Sequence, residues 1–305
     1  MVKLKFFSEK IFESLFVKFL SEQSKNRIEA TILIIAIASF IIHLLIILFV
    51  DFGLINLGDS IHLFKNPISA IYTPFSFILV YEVYLLVYYL PKSITVYIGK
   101  QYEIVTLILI RRLFKDLGNL QLTSDWFSVK GDLVFTYDLI ATLILFFLIS
   151  VFYNLNPQKD YKGPQKLELS EGTSLFIRMK NWMATLLVPV LVGIAAYSLI
   201  EWIDRSFYQT VIPLDKVYRI DAIFFDQFFT ILILADVLLL LISFLRTDRF
   251  SMVIRNSGFV VSTILIKISF GTEGLLTNVL VIVAVLFGVT ILAIQKRYDQ
   301  LGISS

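Results

Sequence analysis

A chain of 305 residues that is 57% hydrophobic and only 17% charged departs from a soluble domain, which is nearer half apolar and a quarter charged. Its net charge of +3 is small and dispersed, which argues against a nucleic-acid partner. With no cysteine there is no disulfide framework, thiolate nucleophile or Cys-ligated metal. Several apolar runs approach or exceed the ~20 residues that span a bilayer. The composition therefore predicts an all-α integral membrane protein whose first partner is the lipid bilayer.

The N-terminal stretch is not a secretory signal, because no unbroken apolar core precedes a small-residue cleavage site. Phe6, Phe7, Ile11, Phe12, Leu15, Phe16, Phe19 and Leu20 recur at helical spacing, with Glu9, Lys10, Glu13 and Lys18 opposite. That pattern predicts an amphipathic helix lying in the membrane interface.

Eight spans follow, at roughly 28–50, 69–91, 94–118, 131–153, 182–203, 222–245, 251–269 and 273–295. Pro74 and Pro189 fall inside the second and fifth of these and are expected to kink them. The third is interrupted by Lys100, Glu103, Arg111, Arg112 and Lys115 and could instead lie flat. Charge decides between the two. With eight crossings and an inner N-terminus, the inner segments hold 18 Lys and Arg against 6 outside, the expected cytoplasmic bias. Laid flat, the third run would send the basic 154–180 loop outside and weaken that bias. Both termini are therefore expected in the cytoplasm, in a cytoplasmic (inner) membrane.

The halves echo one another. Ser14-Leu15-Phe16-Val17-Lys18 returns as Ser174-Leu175-Phe176-Ile177-Arg178, and Ala30-Thr31 as Ala184-Thr185. Glu82-Val83 returns as Asp236-Val237, and Val105-Thr106 as Val261-Ser262, at offsets of 160, 154, 154 and 156. The longer 119–130 loop of the first half shifts the last pair of helices to an offset of about 140, which aligns Asp138 with Asn278. The expected organisation is two tandem four-helix repeats, 1–153 and 154–305, each preceded by an amphipathic segment. Because each repeat has an even number of spans, the halves share one orientation.

Polar residues at membrane depth are the candidate site, since a charge there costs a few kcal/mol and usually faces the bundle or a wet cavity. Counting ~1.5 Å per residue puts His43, Arg111 and Asp138 in one layer roughly 10 Å below the outer surface. An Arg111–Asp138 pair touching His43 fits that depth. Glu82 and Glu103 share an inner layer; side by side, they cannot both be ionised cheaply, and Lys100 could neutralise them. In the second half Tyr197 replaces His43, Lys267 replaces Arg111, Asn278 replaces Asp138 and Asp236 replaces Glu82.

No phosphate-binding glycine loop, nucleophile elbow or dinucleotide fingerprint occurs, so nothing favours an enzyme or a cofactor. His43 and His62 lie on different elements without metal-ligand spacing. Lys267 lies too near the outer end of its helix for a Schiff-base lysine. Arg111, Arg112 and Lys115 form a cluster, not the ladder of a voltage sensor. Two functions fit what is left. One is a proton- or cation-linked transporter or channel. The other is a non-catalytic scaffold or anchor subunit, with membrane-protein partners or further copies of itself.

Overall fold

In a computed structural model the structure describes residues 12–54, 67–117, 130–156, 171–208, 220–244, 250–272 and 274–301. His62 and residues 118–129 lie outside them. All regular elements among the described residues are helical. A helical stretch at 12–20 precedes α1 (Glu22–Asp51). A 3-10 turn, Pro67–Ile71, leads into α2 (Tyr72–Tyr89), followed by α3 (Ile94–Leu117) and α4 (Lys130–Leu155). Then come α5 (Glu171–Tyr208), α6 (Ile220–Phe244), α7 (Phe250–Phe270) and α8 (Leu275–Gln300).

Five of these are long and apolar enough to cross a membrane: α1, α4, α5 through its Ile177–Ile194 stretch, α7 and α8. The apolar parts of α2 and α6 are shorter. Beside a buried apolar core, the helices also turn large apolar side chains outward and polar ones inward. Ile34, Ile37, Leu143, Phe147, Leu186 and Leu234 are exposed, while Gln101, Asp138, Thr263 and Asn278 are buried. Water penalises apolar patches of this extent on every helix, whereas hydrocarbon accepts them and expels the polar groups inward.

Each helix packs on the next, α1 on α2, α2 on α3 and α3 on α4, and again α5 on α6, α6 on α7 and α7 on α8. The two series meet mainly along α4 and α8, with further contacts of α3 on α7 and α2 on α5. Successive helices run in opposite directions. The starts of α1, α3, α5 and α7 gather at one end, where Tyr81 bonds to Glu29, Lys180 to the Lys92 carbonyl and Ser251 to Asp299. Call this the near end. His43 beside Thr73, and Asp138 beside Asn278, belong to the far end.

Among the described residues, the doubtful third run is largely enclosed. Along α3, Tyr97, Ile98, Gln101, Tyr102, Val105, Thr106, Leu109 and Arg111 are all buried. Its charges have kept it out of the five apolar helices, yet it extends through the bundle and does not lie on its surface.

The two amphipathic entries differ. Ser21 separates 12–20 from α1 and caps α1, its hydroxyl accepting from the Ser24 amide at 3.2 Å. The segment 174–178, which echoes 14–18 in sequence, is continuous with α5, a single helix of 38 residues, about 57 Å long at helical rise. The 12–20 stretch ties the halves together at the near end. Phe12 stacks on Trp182 of α5 at 4.5 Å, and Tyr84 of α2 donates to the Phe19 carbonyl at 2.7 Å. Pro189 stands inside α5 as expected. Pro74 is only the third residue of α2, within the first turn where proline costs no helical hydrogen bond, so no kink is needed there.

Candidate functional site

Two polar clusters stand apart on α3. Arg112 and Gln101 are eleven residues from one another, a rise of ~16 Å, and each reaches across to other helices.

At the far end, Arg112 closes on the Asp138 carboxylate with both Nε and a terminal nitrogen. The same guanidinium donates to Asn278 Oδ1, and Asn278 Nδ2 donates to Asp138 Oδ1 at 2.6 Å. The triad fastens α3, α4 and α8 together, with Asp138 at 0% exposure. This corrects the expected Arg111–Asp138 pair: the cation on Asp138 is Arg112. One step along a helix turns a side chain by about 100°, so Arg112 faces α4 and α8 while Arg111 faces elsewhere. Arg111 is buried and lies within Coulombic reach of Glu82 on α2.

His43 is buried as expected, but its Nδ1 sits 2.5 Å from Thr73 Oγ1 in an α1–α2 contact, apart from the Arg112–Asp138–Asn278 triad. Tyr197, its expected counterpart at an offset of 154, is 59% exposed, unlike the buried His43. Asn278 turns to the first half and does not reproduce an Arg–Asp pair with Lys267. Lys267 stands in the last turn of α7, where a cation complements the helix dipole.

The inner pairing of Glu82 with Glu103 is also corrected. Glu103 lies between α3 and α4, where Lys100 Nζ bonds its Oε2 at 2.6 Å and the Tyr153 hydroxyl donates to Oε1. Lys100 does neutralise Glu103. Glu82 projects from α2 instead, buried, and makes no hydrogen bond or ion pair with another described residue.

Asp236 on α6 is the focus of the second cluster. Gln101 Nε2 donates to its Oδ2 at 3.4 Å, and Gln101 Oε1 accepts from the Thr263 hydroxyl of α7 at 2.8 Å. Tyr97, one turn before Gln101, sets its hydroxyl beside Asp236 and Gln101 without bonding geometry to either. Lys180 of α5 acts on Asp236 from a distance while donating to the Lys92 carbonyl at 2.9 Å. Asp236, Gln101, Tyr97, Thr263 and Lys180 are all buried.

No family model matches the chain, and neither does a curated protein or a solved structure. What the site can do rests on its own chemistry.

That chemistry divides the acids at membrane depth, Glu82, Glu103, Asp138 and Asp236, into two kinds. Asp138 and Glu103 are each held by a cation in direct contact. Glu82 and Asp236, the two acids that the offset of 154 equates, have no ion pair among the described residues. A paired carboxylate between helices works as a tie. An unpaired one in a water-poor interior is costly as an anion, which makes it a place for a proton or a bound cation. Gln101, Tyr97 and Thr263 carry no signal in the sequence because neutral amides and hydroxyls have none of their own, and Lys180 reads there as one of several basic residues at the inner end of its helix. The available hint was Tyr97 and Gln101 four residues apart, on one face of an unusually polar helix.

Proposed function

We propose that the chain is a proton- or cation-linked membrane transporter in which Glu82 and Asp236 are the ion-binding groups. The observation that carries this reading is their burial without a counter-ion in contact among the described residues, while Asp138 and Glu103 are locked to arginine and lysine. Around them we propose two tandem four-helix halves of like orientation, 1–153 and 154–305, crossing the membrane eight times with both termini in the cytoplasm. The repeated order of packing in the two series of helices supports the duplication. So does the direct bond between Asp138 and Asn278, the residues equated at an offset of 140. Equivalent residues meet where two like-oriented halves share an axis along the membrane normal.

A non-catalytic scaffold or anchor subunit is the second reading. It is favoured by the Arg112–Asp138–Asn278 triad, whose chemistry is fully used in joining helices.

Flux through purified protein in liposomes separates the two. Glu82→Gln and Asp236→Asn are expected to reduce flux driven by a pH gradient to background, with thermal stability close to wild type. His43→Gln, at a histidine outside both clusters, should leave flux intact. Absence of flux under imposed proton, sodium and potassium gradients, together with lowered stability of Asp236→Asn, would remove the transport reading in favour of the scaffold.

A further inference from the structure

Gln101 is the least conspicuous member of the Asp236 cluster and the most informative. It is 0% exposed and sits as the middle link of a chain running from Asp236 on α6 through α3 to Thr263 on α7. As drawn by its hydrogen bonds, the chain points one way: the amide nitrogen gives to the carboxylate, and the amide oxygen takes from the threonine. That direction fits an ionised Asp236, which can only accept.

Thr263 has a second choice. Its hydroxyl lies 2.8 Å from Gln101 Oε1 and 3.1 Å from the Phe259 carbonyl. A hydroxyl owns one proton and two lone pairs, so if it gives that proton to Phe259 it can accept from Gln101. A half-turn of the Gln101 amide then presents Oε1 to Asp236 and Nε2 to Thr263. In that arrangement Asp236 must be the donor, which it can be only as the protonated acid. Every bond in the chain is retained and each reverses its direction.

We propose that Asp236, Gln101 and Thr263 form a proton-binding site whose hydrogen-bond chain reverses when Asp236 takes up a proton, and that this site excludes alkali cations. The proton enters on the Asp236 oxygen facing Gln101 and is held there by the amide oxygen; no other covalent bond changes. The site's part in transport rests on the reading above, and its chemistry on the reversible chain.

Alkali cations are excluded by what already faces the carboxylate. A hard cation needs several oxygen ligands around it. Toward Asp236 the enclosure turns an amide nitrogen from α3, and the positive charge of Lys180 on α5 acts on it from a distance. Arg255 on α7 acts on Lys180 with further positive charge, and Asp299 on α8 acts on that arginine. A metal ion beside Asp236 would raise the positive charge of the enclosure, whereas with the proton the acid becomes neutral and gains an acceptor. The Tyr97 hydroxyl, buried and unbonded among the described residues, is available to the second carboxylate oxygen.

Infrared difference spectroscopy of the full chain in lipid nanodiscs, titrated in pH, reads this directly. The expected result is a protonated-carboxyl band that grows as pH falls, shifts on isotopic labelling of aspartate, disappears in Asp236→Asn and is unmoved by added sodium. Gln101→Met should shift the band to higher frequency, because the acid proton loses its acceptor. The labelled wild type identifies the band as an aspartate's even where a variant fails to fold. Absence of any such aspartate band, or its suppression by sodium at constant pH, would overturn the proposal. A band that behaves as expected in a protein without flux would uphold the site and remove transport. Flux without the band would uphold transport and remove the site.

Discussion

Gly288→Ala is expected to destabilise the protein by about 3 kcal/mol, a large effect for one methyl group. A Cβ at Gly288 of α8 would lie 1.7 Å from the Tyr102 hydroxyl oxygen. Tyr102 cannot step aside. It is 0% exposed, its ring rests edge-on against Phe152 at 5.2 Å, and its hydroxyl is bonded to Ser262 at 2.8 Å. Ser262 in turn donates to the Ala284 carbonyl at 2.7 Å, so α3, α7 and α8 converge on this point. Overpacking of a close-fitting core costs about 1–3 kcal/mol. A buried hydroxyl pushed off its partner adds about 1–3 kcal/mol. Tyr102→Phe removes the oxygen that meets the new methyl, so the double variant Gly288→Ala/Tyr102→Phe should lose less than the two single changes combined. Chemical unfolding in detergent measures all three. Additive losses would mean that Tyr102 does not occupy the space over Gly288.

Asp138→Ala should cost about 2 kcal/mol. Removing one partner of a fully buried ion pair costs about 3–5 kcal/mol, and Arg112 at 28% side-chain exposure keeps part of its solvation. Asn278 loses its acceptor in the same step. A double-mutant cycle distinguishes the partners. Asp138 and Arg112 should couple within the range of interhelical polar pairs in membranes, about 0.6 kcal/mol on average and up to about 1.7. Asp138 and Arg111 should be additive. Coupling to Arg111 in place of Arg112 would contradict the triad.

The contrast between Arg111 and Arg112 shows where reading the sequence stops. Depth is a count of residues, and it brought Asp138 and a neighbouring arginine to one level correctly. Azimuth is an angle, and no count of apolar positions resolves 100° on a helix that is buried nearly all round. The helices themselves were placed within a few residues for α1 to α4 and for α6 to α8, because long apolar runs are set by the bilayer and not by tertiary detail. The start of α5 was not, since its first turns are amphipathic and join the spanning part without a break. Lys100 was matched to Glu103 because the two are three apart on one helix, a spacing that needs no tertiary knowledge. Depth alone pairs Glu82 with Glu103, but they stand on different helices and Glu103 turns to Tyr153 of α4. The Asp236 cluster gathers α3, α5, α6 and α7, and its neutral members become visible only when those helices are brought together.

Everything proposed for Glu82 and Asp236 requires α3 to cross the membrane between them. The absence of native cysteine allows a direct measurement, in which single cysteines at Ser124, in the loop after α3, and at Ser93, just before it, are labelled with a membrane-impermeant reagent. The expected result is labelling of Ser124→Cys only from outside the cell and of Ser93→Cys only from the cytoplasmic side. Labelling of both from the cytoplasmic side would lay α3 along the membrane surface and contradict the two-half, eight-span account.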